Sequence, residues 1–382
     1  MMITVLIFII VLGALIFVHE LGHFLMARRN GMKVEEFGFG FPPRLFGFVW
    51  DEKKGRHVAV PGNKDVVSPN TVYSINWIPF GGFVRIKGEN GTGAHEEDSF
   101  ASKKPFPRIK VLAAGVVMNF LFAWILISAV LMIGFPRAVD PDEKIDITKV
   151  EVQISQVVKD SPASEMGLRM GDVIVSANGE KLLRVERIQE IILSSKGKQI
   201  SFDIRRGEEM LRVSGMPRVE YPPNQGALGI ALGETTLAKY SFFESFVQGA
   251  VQTWNGTLQM FVGIGKLFAG FFPGGTSTLQ DVSGPIGIAY LTKDVTELGF
   301  VYLLYFMAIL SINLGVLNIL PFPALDGGRI LFVLIEWIKG SPVSQRIEGV
   351  FHMSGFFLLI FLMIAITIAE FARFNILGNL FG

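Results

Sequence analysis

Residues His19-Glu20-Leu21-Gly22-His23 close an uncharged, apolar run from Met1 to Val18, and the apolar pattern resumes at Phe24-Leu25-Met26. Two imidazoles spaced i, i+4 on a helix project from one face and can hold a single metal ion. The carboxylate between them is then placed to take a proton from water at that ion. An ionisable residue near the bilayer core costs roughly 2.5–3.5 kcal/mol on insertion scales, so three together require a compensating partner. Zinc would supply it. The rival reading is a helix end whose polar residues reach toward water.

Half of the 382 residues are hydrophobic, which sets the chain apart from ordinary soluble and disordered proteins. The net charge of +1 and the lack of basic runs with interleaved aromatics argue against a nucleic-acid partner. Cysteine is absent, excluding disulfides, thiolate nucleophiles and Cys-type zinc sites. Any metal must be held by His, Asp, Glu or backbone oxygens, a donor set that suits several divalent ions. The N-terminus lacks a basic region before its apolar run, and its first basic residue is Arg28, so it reads as a retained transmembrane helix.

Three further uncharged stretches, Val111 to Phe135, Leu298 to Leu325 and Gly349 to Ala369, exceed the 20 or so residues that cross a bilayer. The expected fold is an α-helical integral membrane protein with four transmembrane helices, at 1–27, 111–135, 298–335 and 349–371. Arg28, Arg29 and Lys33 follow the first span, Arg108 and Lys110 precede the second, and Lys339 and Arg346 separate the last two. The positive-inside rule puts these connections in the cytoplasm and both termini outside. Spans one and three then cross in the same direction. His19 and His23 fall late in the first, and Asp326 follows the third at Pro321-Phe322-Pro323-Ala324-Leu325-Asp326-Gly327-Gly328, where two prolines break the helix. The acid can therefore meet the histidines at similar depth, leaving a fourth metal position open for water.

Segment 28–110 is rich in Gly, Pro and aromatics, with strand-like runs at Phe37 to Phe41 and Trp77 to Ile86. It reads either as a membrane re-entrant β-hairpin beside the site or as a small cytoplasmic sheet. Segment 147–232 is more charged and carries strand patterns at Val150–Val158, Asp172–Ala177 and Gln199–Arg205, with an Asn178-Gly179 turn. It holds no histidine and no nucleophile-and-base cluster, so it is expected to bind and not to react. Segment 240–270 is amphipathic, with Glu244 and Lys266 its only charges, and fits an interfacial helix or a core helix of the soluble region.

Three groups of residues resemble the site-2 protease family of zinc intramembrane metalloproteases, in its bacterial form with one PDZ domain. The first is Phe17 to Phe24. The second is Asn318 to Gly328, matching the family's Asn-x-x-Pro-x-Pro-x-Leu-Asp-Gly signature. The third is PDZ-like: Asp160-Ser161-Pro162-Ala163, Gly167-Leu168, Gly171 to Ile174 and Asn178-Gly179. Phe37 to Phe41, Phe80 to Val84 and Ser283 to Gly287 give supporting matches. The family's Gly-Pro in span two is Gly115-Val116 here, with Asn119 kept, a departure that bears on the local shape of that span.

The resemblance implies zinc held by His19, His23 and Asp326, with Glu20 as general base and then acid. It implies Asn318 and Pro321 as substrate-binding positions; an Asn capping the broken helix is the alternative. It further implies cleavage of single-span membrane proteins, anti-sigma factors or remnant signal peptides, in regulated intramembrane proteolysis. An upstream site-1-type protease and the lipid bilayer of the bacterial cytoplasmic membrane are the other expected partners. The extracytoplasmic PDZ domain would exclude bulky substrates or dock a new C-terminus. A substrate helix must unwind before attack, and an edge strand around Phe80 to Arg85 could pair with it. A scaffold retaining a relic motif would be expected to have lost one of the four polar residues, and a transporter to show internal repeats.

Overall fold

The computed structural model describes residues 2–62, 66, 68–91, 93–139, 150–181, 184–222, 225–270 and 283–373. The chain divides into two compact units. One comprises Met1–Ser128, Phe246–Lys293 and Leu304–Gly382; the other comprises Ala129–Ser245 and Asp294–Leu303.

The first unit is built on α1 (Met2–Arg29), β1 (Val34–Asp51), β2 (Arg56–Pro61), β3 (Val72–Ile86) and α2 (Pro105–Ile133). It continues with α5 (Phe242–Gly270), α6 (Pro285–Leu298), α7 (Phe300–Ile319), α8 (Asp326–Lys339) and α9 (Gln345–Arg373), residues 129–133 of α2, 242–245 of α5, 294–298 of α6 and 300–303 of α7 being counted with the second unit. Four of these, α1, α2, α7 and α9, are long and apolar enough to cross a membrane. Helix α1 runs without a charge other than Glu20 until Arg28 and Arg29, whose charges favour its C-terminal end. It stops at Gly31 (φ 65°), where the Met32 N–H bonds Ala27 O at 3.0 Å. Helix α2 begins six residues ahead of the uncharged stretch, with Pro105 at its first position. Arg108 bonds Glu336 at 2.5 Å and Lys110 lies 4.4 Å from the Phe106 ring, so neither charge has to end the helix. The 298–335 segment, expected as one span, is two helices. Pro321 and Pro323 lack N–H groups and Ala324 turns left-handed (φ 70°), which separates α7 from α8.

Strands β1 and β3 both bend and pair twice. The N-terminal half of β3 lies between the two halves of β1, Glu36↔Val72 on one side and Phe48↔Tyr73 on the other. Its C-terminal half, Gly82–Ile86, pairs only with Val34–Phe39, while β2 pairs with Phe46–Asp51. Residues Gly82–Ile86 therefore form an edge of this sheet. The sheet lies along α1: Gly13 faces Phe39, Ile16 meets Gly81, and Phe24 stacks on Phe37 with ring centroids 4.6 Å apart. Helix α5 packs with the crossing helices. Trp124 Nε1 donates to Phe246 O at 2.8 Å, Gly249 fits against Ser128, and Gly256 faces Ile312. Its opposite face exposes Phe243, Val247, Trp254 and Phe261. Buried Glu370 accepts the N–H groups of Gly284 (2.7 Å) and Gly287 (3.0 Å), fixing the start of α6 against α9.

The second unit carries β4 (Phe135–Ala138), β5 (Val150–Val157), α3 (Pro162–Glu165), β6 (Val173–Ala177), β7 (Glu180–Lys181) and α4 (Val185–Ser194). Strands β8 (Ile200–Arg206), β9 (Glu209–Gly215) and β10 (Ile230–Ala238) complete it. The strands form an antiparallel sheet in the order β4-β10-β5-β6-β8-β9, with β7 on β6. Ile188, Ile191 and Ile192 of α4 close a core with Val152, Ile154 and Phe202. Asn178 and Gly179 both have positive φ, 49° and 81°, as a tight hairpin turn requires. Residues 147–149 of the expected domain lie outside the described residues.

Fully buried Asp172 accepts two bonds of 2.7 Å from Arg206 and one of 2.8 Å from the Arg169 N–H. Removing one partner of such a pair leaves an uncompensated charge. Asp172→Ala should thus cost this unit roughly 3 kcal/mol. The expected sign is protease cleavage within 150–238 of the full chain under conditions where the unchanged chain resists; equal resistance would refute it.

Candidate metal centre

The i, i+4 spacing on α1 brings His19 and His23 Nε2 to 3.1 Å from one another. Asp326 Oδ2, in the first turn of α8, lies 3.0 Å from His19 Nε2 and 3.4 Å from His23 Nε2. Among the described residues this is the only group of three or more His, Asp or Glu side chains close enough to share an ion. Ligands roughly 2.0–2.1 Å from a tetrahedral zinc stand about 3.3 Å apart, close to all three separations. Asp326 Oδ2 is buried and makes no aligned hydrogen bond to either ring. Lone pairs and a carboxylate oxygen crowded together out of water repel unless a cation lies among them. The residues present fit zinc.

The far side of each ring fixes its tautomer. His23 Nδ1–H donates to Val111 O at 2.8 Å, leaving Nε2 as a lone pair. His19 Nδ1 lies 3.1 Å from the side-chain amide of fully buried Asn119. With the amide nitrogen toward the ring, Asn119 Oδ1 has no partner. Turning the amide over lets the oxygen accept Nδ1–H and leaves His19 Nε2 able to bind metal. Both contacts come from α2, which approaches closely because position 115 is glycine. A Cβ there would stand 2.5 Å from His23 Nε2 and 2.8 Å from His19 Nε2, against the two nitrogens that would face a metal.

Two cavities meet at the centre. One of about 220 Å³ is lined by His19, Glu20, Asn318, Leu325 and Asp326 among others. The other, about 200 Å³, is lined by Glu20, His23, Phe83, Val84, Asp326 and Arg329 among others. Glu20 lines both. Asn318 lines the first cavity; Pro321 is exposed at the bend and lines neither. Arg329 is paired with Glu89 in the wall of the second cavity. That pair cancels its own charge, so the two carboxylates of Glu20 and Asp326 remain for a divalent cation to balance.

Asp326 is delivered by the bend. Gly327 sits against the carbonyls of Ile319 and Leu320, and Gly328 against that of Phe322, where a side chain would collide with backbone. The N-terminal end of α8 also favours a carboxylate at this position.

Such geometry is that of a site able to hold a metal ion beside a carboxylate, carried on apolar helices. The model of Peptidase family M50 matches residues 7–63 and 64–362. The zinc metalloprotease RasP of Geobacillus kaustophilus is 30% identical, covering 96% of this chain and 97% of its own. The regulator of sigma-W protease RasP of Bacillus subtilis is 29% identical, covering 95% and 97%. A solved PDZ domain of the SdrC-like protein from Listeria monocytogenes is 23% identical over 21% of this chain and 85% of its own, with a TM-score of 0.19. The chain belongs to peptidase family M50, and it is a zinc metalloprotease of the site-2 type.

Asn119 and Gly115 were not among the site residues expected from sequence, although their four-residue spacing on a helix was a usable signal. Gly115→Ala should abolish zinc binding, and Asn119→Ala should weaken it about 10- to 100-fold. Elemental analysis and chelator competition on the purified chain test both; wild-type affinity in either would contradict the assignment.

Proposed function

We propose that this chain is an intramembrane endopeptidase that cuts single-span membrane proteins. Anti-sigma factors or remnant signal peptides are the substrates this reading assigns to it; the B. subtilis relative is named a regulator of sigma-W protease. The observation that carries this is the set His19, His23 and Asp326 with adjacent Glu20, held within α1 and at the α7–α8 break, inside apolar helices. When bound by the three ligands, zinc supplies a Lewis acid that polarises the scissile carbonyl and acidifies water. Glu20 takes the proton from the attacking water and delivers it to the leaving amine nitrogen. Asn318 offers an amide donor and acceptor to the unwound backbone across the first cavity.

The sheet is the second element of this reading. It follows α1 from Gly13 to Phe24, about 16 Å of helix rise, so it reaches well into the bilayer. Phe39, Phe41, Phe46, Phe48, Ile75 and Trp77 are 40–62% exposed, a face that water would not tolerate but lipid would. This supports the re-entrant hairpin over the cytoplasmic sheet. The edge Gly82–Ile86 brings Phe83 and Val84 to the wall beside Glu20 and His23. A substrate strand added there satisfies its freed backbone groups next to the metal. The basic residues at the end of α1 and the start of α2 favour a topology with these helix ends toward the cytoplasm of a bacterial cell and the PDZ-like segment outside, as a filter or dock for substrates already trimmed by another protease.

Glu20→Gln should retain about one zinc per chain yet lose 10²- to 10⁴-fold in cleavage of a single-span reporter. Activity near wild type would remove Glu20 from the reaction. Phe83→Pro and Val84→Pro should keep zinc, and whichever removes the outward N–H should cut cleavage at least about tenfold by depriving the substrate strand of a partner. Unchanged cleavage in both would count against strand addition.

A further inference from the structure

His352 on α9 belongs to no motif read from the sequence and has no part in the reaction above. Its Nδ1 lies 3.0 Å from the Ala324 main-chain nitrogen. A main-chain N–H only donates, so Nδ1 accepts and the ring proton sits on Nε2. That Nε2 is buried without a hydrogen bond, its nearest carboxylate being Glu348 at 3.9 Å.

The bond falls at the break between α7 and α8. Pro321 and Pro323 have no N–H, leaving four such groups between 320 and 325. Leu320 bonds Leu317 O at 3.2 Å, Phe322 bonds Leu320 O at 2.6 Å, and Leu325 bonds Phe322 O at 3.3 Å. Ala324 alone is met by a side chain. It is also the residue in the left-handed region, at φ 70°, two positions before Asp326. One turn along α9, Gly355 lets the helix close on Pro323, where a side chain would collide. Helix α9 thus supplies both the surface and the one side-chain hydrogen bond that hold the bend.

We propose that His352 is a positioning residue of the metal centre: by accepting the Ala324 N–H it holds the left-handed turn that sets the approach of Asp326 to His19 and His23. The inference rests on the reading of those three residues as the zinc ligands. Its chemistry asks for an acceptor at the Nδ1 position, which Asn Oδ1 reproduces and Gln Oε1 does not.

The test is the zinc dissociation constant of the purified full chain by chelator competition, for wild type, Asp326→Ala, His352→Asn, His352→Gln and His352→Ala. Asp326→Ala should bind most weakly. His352→Ala and His352→Gln should lose about 10- to 100-fold, as expected for an outer-shell contact, while His352→Asn stays close to wild type. Wild-type affinity in His352→Ala, with Asp326→Ala impaired, overturns the role of His352 and leaves the ligand set standing. Equal losses in all three His352 variants also overturn it, since the side chain would then act by packing. Wild-type affinity in Asp326→Ala overturns the ligand reading and this inference together.

Discussion

The packing of the first unit gathers three side chains able to hold a metal ion, from distant parts of the sequence, into one place. Helices in lipid satisfy their own backbones, but a ligand set needs backbones to approach and one of them to stop. Glycine occurs where that happens. Gly22 lets α1 meet the carbonyl of Ala114, Gly115 opens the space between the histidines, and Gly327 and Gly328 seat α8 against the bend. The break ahead of Asp326 leaves backbone groups without helical partners. Two prolines remove two of the N–H groups, neighbouring carbonyls take three, and His352 takes the last.

How legible the site was depends on the distance over which its parts are coupled. His19, Glu20 and His23 are set by helical periodicity alone, and Asp326 by a proline-interrupted span of matching direction. Asn119 and Gly115 carry a helical spacing too, but only the packing of α2 on α1 gives it meaning. His352 had no local signature: one of five histidines, its partner is a main-chain N–H 28 residues earlier, and no side-chain pattern encodes a main-chain donor.

The fold shows the same division. Apolar length sufficed for the crossing helices because a bilayer demands it. It misplaced the start of α2, since Arg108 and Lys110 find partners and the helix continues through them. The strands at Val150, Val173 and Ile200 began within a residue of their expected positions, as alternation over a buried face dictates. The double pairing of β1 and β3 was not legible. Glycine-rich aromatic runs lack the two-residue alternation that fixes register, and their arrangement is decided by α1 lying against them.

The ligands are not held alike. Both histidines are met from one element, α2, through Val111 and Asn119. Asp326 answers instead to the α7–α8 bend and to α9 behind it. Asn318, facing the same cavity as the metal, sits on α7 just ahead of that bend. Asn318 and Asp326 thus belong to separate helices, joined by the six residues of the break. A continuous span could not place the two residues so, because its hydrogen-bonded ladder would hold both on one straight rod.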